Sequence, residues 1–196
     1  MKVERNRSTN YRKRLKLLKS GLPRLVVRKT DSTVMGQIIQ YSEDGDKTLV
    51  TIYGRDLKKY GWAFSPKNIP ASYLTGFLLA KKSSAKEAIL DKGNRTLKKD
   101  SFIYYFLKGA QDGGLDTHAG ELPISEERLY GAHIAKHYEN KKGNQFHLVG
   151  EKVKSMREEI NKVIDNIKQH GKFARMCVEA AILRPLQKIV YETIFL

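Results

Sequence analysis

Arg24-Leu-Val-Val-Arg-Lys29, Thr30-Asp-Ser-Thr33 and Val34-Met-Gly-Gln-Ile-Ile-Gln-Tyr41 are the consecutive blocks that decide the fold. The outer two are rich in β-branched residues and the middle one in turn formers, so they read as two strands joined by a short connection. Ser42-Glu-Asp-Gly-Asp46 is a second turn, whose Asp-Gly pair suits the positive φ angles of tight hairpins, and Lys47-Thr-Leu-Val-Thr-Ile-Tyr53 is a third strand. An antiparallel meander results. Within its first strand Leu25 and Val27 alternate with Arg24, Val26 and Arg28, which predicts one buried face and guanidinium groups projecting from the other.

From Ile69-Pro70 the apolar period lengthens from two to about three and a half. Tyr73, Leu74, Phe77, Leu78 and Lys81 trace a helix, with Pro70 suited to its first turn and Ser83 to Lys86 closing it. Glu87-Ala-Ile-Leu-Asp91 is a short strand, and Asp100-Ser101 offers an N-cap to a helix over Phe102 to Gln111, ended by Asp112-Gly113-Gly114. The pattern β-β-β-α-β-α predicts an α/β fold, in which a right-handed crossover strand extends the meander into a mixed sheet with helices packed on it. Ser125-Glu126-Glu127 caps a further helix through Leu129, His133, Ile134 and Tyr138. An amphipathic helix then follows through Val153, Met156, Ile160, Val163, Ile164 and Ile167, stopping near Gly171, and a last helical stretch is interrupted by Pro185. The expected organisation is a basic arm at 1–22, an α/β core at 23–140 and a helical extension at 141–196.

Charge is concentrated at one end. Residues 1–30 hold eleven of the 37 Lys and Arg and a single acid, Glu4, which is +10 of the formal +16. Tyr11-Arg-Lys-Arg-Leu-Lys-Leu-Leu-Lys-Ser-Gly21 mixes these cations with an aromatic and leucines, a composition suited to holding phosphates while docking on something apolar. Nucleic acid is the expected partner. The leucines do not build the broad apolar face of an interfacial helix, so no membrane partner is expected. Like charges and the lack of an apolar period in residues 1–10 predict an arm that is disordered until it meets RNA. The lone Cys177 excludes an internal disulfide, and no apolar run reaches signal-peptide or membrane-spanning length, so a soluble intracellular chain is expected.

Candidate chemistry is sparse. Two-metal hydrolysis needs converging carboxylates, and only Asp31, Asp56 and Asp91 offer themselves, as in an α/β nuclease similar to ribonuclease H. His133 and His137 have the four-residue spacing of helix-borne zinc ligands but lack the intervening glutamate of a hydrolase motif. Cys177 sits in an apolar stretch, as a buried structural thiol does. No phosphate-binding glycine loop is present in the sequence. The aromatics Phe102, Tyr104, Tyr105 and Phe106 share a helix with Ile103 and Leu107 and read mainly as core. No enzyme, metal or cofactor is expected from these patterns.

Several blocks in succession carry a resemblance. Tyr11 to Lys29, Lys59-Tyr-Gly-Trp62, Pro70-Ala-Ser-Tyr-Leu-Thr-Gly-Phe-Leu-Leu-Ala80, Glu87-Ala-Ile-Leu-Asp-Lys-Gly93, Gly109-Ala-Gln-Asp-Gly-Gly-Leu-Asp116 and Gly131-Ala-His-Ile-Ala135 resemble, in order and spacing over roughly residues 5–138, the archaeal and eukaryotic branch of the ribosomal protein L-eighteen family. The resemblance implies a cytoplasmic, non-enzymatic constituent of the large ribosomal subunit. It would bind 5S rRNA and help attach it to the large-subunit rRNA in the central protuberance, beside neighbouring large-subunit proteins and without DNA. By the same likeness Arg5, Arg7, Arg12, Lys13, Arg14, Lys16 and Lys19 would neutralise phosphates, and Tyr11 would stack on a base or sugar. Arg24, Arg28 and Lys29 would extend the contact onto the sheet. Two departures from the family pattern, at Asp91-Lys92-Gly93 and Gln111-Asp112-Gly113-Gly114, are expected to lie away from that surface. The alternatives are a metal-dependent RNA hydrolase and a free-standing RNA chaperone.

Overall fold

A computed structural model describes residues 10–140, 153 and 155–170. Calls on Arg5, Arg7, Cys177 and the stretch around Pro185 lie outside the described residues. Strands β1 (Arg24–Lys29), β2 (Val34–Gln40) and β3 (Lys47–Tyr53) form the meander, and β4 (Ile89–Asp91) adds parallel to β1, giving the order β3-β2-β1-β4. The parallel register sets Arg24 beside Ile89, Leu25 beside Leu90 and Val26 beside Asp91. This is the mixed α/β sheet that the alternating pattern predicted.

Helix α2 (Ile69–Lys82) packs on β2 and β3 and against α3 (Phe102–Asp112), whose Phe106 also reaches β2 at Gly36. Asn68 starts α2 by accepting the Ala71 N–H at 2.8 Å, and Pro70 occupies the first turn, where no partner for its nitrogen is needed. Every residue from Pro70 to Ala80 is buried, so α2 is covered all round and not on one stripe. Its approach to α3 depends on two glycines. A Cβ on Gly76 would strike the Phe106 carbonyl, and one on Gly109 the Tyr73 carbonyl, so the two backbones come closer than any side chain would allow. On α3, Ile103, Tyr105, Phe106 and Leu107 are buried, whereas Phe102 and Tyr104 lie at the margin of the core.

Four local expectations are corrected. Helix α1 (Tyr11–Leu18) forms within the arm that charge repulsion predicted to be disordered, whose residues 1–9 lie outside the described residues. Straight-chain Arg, Lys and Leu residues favour helix, Asn10 accepts the Lys13 N–H at 3.1 Å, and an acid from a distant turn offsets the repulsion. Ser101 stands at the N-cap of α3 without a side-chain bond. Asp100, at φ 57°, instead accepts the Tyr105 hydroxyl at 2.7 Å and the Ser125 N–H at 2.9 Å. Ser125 likewise makes no side-chain cap. The helix expected after it is broken into α4 (Glu126–Leu129) and α5 (Ala132–Asn140) at Gly131, whose φ is 76°.

The amphipathic stretch beyond is helical over 156–170 (α6) and returns to the core. Val153, Met156, Ile160, Val163 and Ile167 are buried, and Ile164 packs at the edge. Asn166 Nδ2 donates to the Tyr60 carbonyl at 3.0 Å, and the Arg157 guanidinium lies 4.3 Å from the Tyr130 ring centroid. Lys162 pairs with Glu159 at 3.1 Å on the solvent side.

Candidate nucleic-acid interface

The strand alternation that buries Leu25 and Val27 in the core places Arg24, Val26 and Arg28 on the opposite face of β1. Because β4 runs parallel to β1, its end delivers the turn Asp91-Lys92-Gly93-Asn94 beside Arg28. Helix α1 flanks the same side. Between α1 and this turn lies a cleft of about 880 Å³. Seven of its lining side chains are cationic, namely Lys13, Arg14, Lys16, Arg24, Arg28, Lys92 and Arg95, against the single carboxylate of Asp91. Leu17 and Leu90 supply apolar wall.

Acids hold the cations in place. Asp46, in the β2–β3 turn, accepts from Arg14 at 2.9 Å and from Arg24 at 2.6 Å, so one carboxylate joins α1 to the sheet. Asp91 lies 3.4 Å from Arg24 and 3.6 Å from Arg28, and its Oδ1 accepts the Gly93 N–H at 2.8 Å. Arg28 Nη1 also donates to the carbonyls of Val27 and Asp91, both at 2.9 Å. Gly93, at φ 62°, presents a bare Cα to the Arg28 guanidinium, 3.1 Å from where a Cβ would stand. Beyond the cleft, Lys29 Nζ and the Arg95 guanidinium each lie 5.6 Å from the centre of the Phe102 ring, which carries the positive surface to the start of α3.

A family model described as "Ribosomal large subunit proteins 60S L5, and 50S L18" matches residues 1–94. A protein of Korarchaeum cryptofilum named "Large ribosomal subunit protein uL18" is 44% identical over 135 residues, covering 67% of this chain and 69% of that one. A protein of the same name from Methanococcus maripaludis is 44% identical over 142 residues, covering 70% and 74%. The chain belongs to the uL18 family. The uL18 family match contains α1, the meander, α2 and β4, and every cleft residue except Arg95 falls within it.

The structure brings Lys13, Arg14, Lys16, Arg24 and Arg28 together in the cleft. Tyr11, Arg12, Lys19 and Lys29 are exposed outside its lining, with Tyr11 76% accessible. Arg24 is buried instead of projecting, since its side chain is only 6% accessible and serves the two aspartates. Its Nε is buried without a hydrogen-bond partner. Lys92, expected away from the surface, lines the cleft. Sequence reasoning missed Lys92, Arg95, Asp46 and Asp91 as parts of this site. The signal was the parallel pairing of β4 with β1, which sets the turn after β4 beside Arg28 and becomes visible only once the sheet order is known.

Among the described residues, no three His, Cys, Asp or Glu side chains converge as metal ligands. Asp91 is engaged by arginines, Asp56 accepts the Tyr53 N–H at 2.9 Å, and Asp31 sits exposed in its turn. His133 is half-buried on α5. Burial, and secondarily the Arg128 charge, push its pKa below the usual imidazole value.

Proposed function

We propose that this chain is a non-enzymatic, cytoplasmic constituent of the large ribosomal subunit that binds 5S rRNA and helps attach it to the large-subunit rRNA in the central protuberance. The observation that carries the reading is the cleft of seven cations in the segment that matches the family. Residues 1–22 act as the RNA-binding arm of the 23–140 core, with 141–196 as its helical extension. Lys13, Lys16, Lys92 and Arg95 hold phosphates, and Tyr11, Arg12 and Lys19 on the free side of α1 reach a second stretch of backbone or a base. Arg5, Arg7, Arg28 and Lys29 extend the contact. Phosphate contacts position the chain, while selectivity comes from the fit of a concave, preset surface to a folded RNA whose major groove side chains cannot read.

Binding measured against salt tests this. The full chain is expected to prefer 5S rRNA over an unrelated folded RNA of equal length, and to keep that preference at high salt. Changing Lys13, Lys16 and Lys92 together to Gln should weaken binding and flatten the log–log salt slope by about two to three units, since each neutralised phosphate contributes about 0.7–0.9. Equal, salt-labile binding to both RNAs would refute 5S recognition. An unchanged slope in the triple variant would refute the cleft as the binding surface.

A further inference from the structure

Carboxylates at a basic cleft repel the phosphates that the cleft is read to hold. Asp91 nevertheless lines it, and Asp46, outside the lining, is bonded to two of its cations, Arg14 and Arg24. We infer that Asp46 is a positioning residue for RNA recognition: its carboxylate clamps α1 to the sheet through Arg14 and Arg24, so a negative charge strengthens the binding of a polyanion.

Three observations carry this. First, α1 has no buried residue, and Tyr11 and Leu15 on it are 76% and 57% accessible, so apolar packing holds it only through half-buried Leu17 and Leu18. Second, Arg14 ties α1 to the β2–β3 turn through Asp46, a contact between residues 32 apart in sequence. Third, Arg24 is nearly inaccessible and cannot leave the site. Without Asp46 its charge faces only Asp91, at 3.4 Å, and Arg14 is released. A buried guanidinium that loses a partner is left with charge that the remaining one does not compensate, which destabilises the site as α1 is released.

Simple electrostatics predicts the reverse sign. Removing one negative charge about 10 Å from a phosphate in water should tighten binding up to about twofold. Preorganisation acts against this, because affinity falls in proportion to the fraction of molecules with α1 docked. The inference rests on the RNA reading above, and its test separates the two.

The full chain, Asp46→Asn and Asp46→Glu are titrated with 5S rRNA and with an unrelated folded RNA of equal length. Amide exchange of α1 is followed in the free proteins, together with Arg14→Gln, which removes only the helix side of the clamp. Asp46→Asn is expected to lose about tenfold in affinity for 5S rRNA, as when the docked fraction falls to about one tenth, while the unrelated RNA binds unchanged or up to about twofold tighter. The α1 amides should exchange faster in Asp46→Asn and Arg14→Gln, and Asp46→Glu should restore most of both properties. Asp46→Asn binding 5S rRNA as tightly as the parent chain, or α1 exchange unchanged in both variants, overturns the positioning role. If the parent chain shows no preference for 5S rRNA, the RNA reading fails instead. The exchange data, which need no RNA, then decide alone whether Asp46 docks α1.

Discussion

Helices α1 and α2 lie on opposite sides of one sheet and are held there by different forces. In α2 every residue from Pro70 to Ala80 is buried, and two glycines let its backbone meet that of α3. In α1 no residue is buried, and the helix is fixed by a cap at Asn10 and by the Arg14–Asp46 bridge. Apolar burial is non-directional and indifferent to phosphate, so α2 holds its place whatever the chain binds. Ion pairs compete directly with phosphate oxygens for the same guanidiniums, so α1 is the helix whose environment a polyanion changes. The sheet therefore has a structural side and a responsive side.

The sharpest way to break the contrast is to damage the structural side. Phe106 is fully buried on α3, against Gly36 of β2 and beneath α2. Phe106→Ala should cost about 3–5 kcal/mol in urea unfolding, from lost burial plus the cavity left behind. The cleft should be lost in the same transition, because β1 and β4 belong to the sheet that this core supports. A cleft that survives unfolding of the α2–α3 pair would show that the two sides fold independently.

A smaller effect is expected at the start of α1. Asn10→Ala removes the acceptor for the Lys13 N–H and should destabilise the helix by about 1 kcal/mol, read as faster exchange of its first-turn amides. Global unfolding should not move, since no core residue belongs to α1. A shift in the midpoint of the whole protein would mean that α1 contributes to the core after all.

Legibility in the sequence follows the same division. The meander, α2, β4 and α3 were readable because periodic apolar residues encode burial locally, and β-branched runs broken by turn formers encode strands. The cleft was readable only in part. Its cations Lys13, Arg14, Lys16, Arg24 and Arg28 stand out as a charge run, but the Arg24–Asp91 contact spans 67 positions and the Arg14–Asp46 contact 32. Nothing local marks an acid in a hairpin turn as the partner of a helix elsewhere. For that reason the α1 stretch read as disordered, Arg24 as projecting and Lys92 as remote. The break at Gly131 was missed for a different reason: the apolar period continues across it, and a two-residue turn, Tyr130 and the positive-φ Gly131, separates α4 from α5.

Salt provides the finest comparison, because it should divide even the two bonds of Asp46. Raising ionic strength from 0.1 to 1 M shortens the screening length from about 10 Å to about 3 Å. The side chain of Arg14 is 37% accessible and that of Arg24 only 6%, so ions reach the first contact and not the second. An exposed pair contributes about 0.2–1 kcal/mol, and its loss should speed α1 amide exchange by up to about fivefold. Exchange in α2 should not respond, and the amides of β1 around Arg24 should stay protected. If β1 loosened along with α1, the two arginines would form a single unit, and Asp46 would be a support of the sheet as much as a clamp on the helix. If neither responded, Leu17 and Leu18 would hold α1 by packing, and the contrast between the two helices would be one of degree.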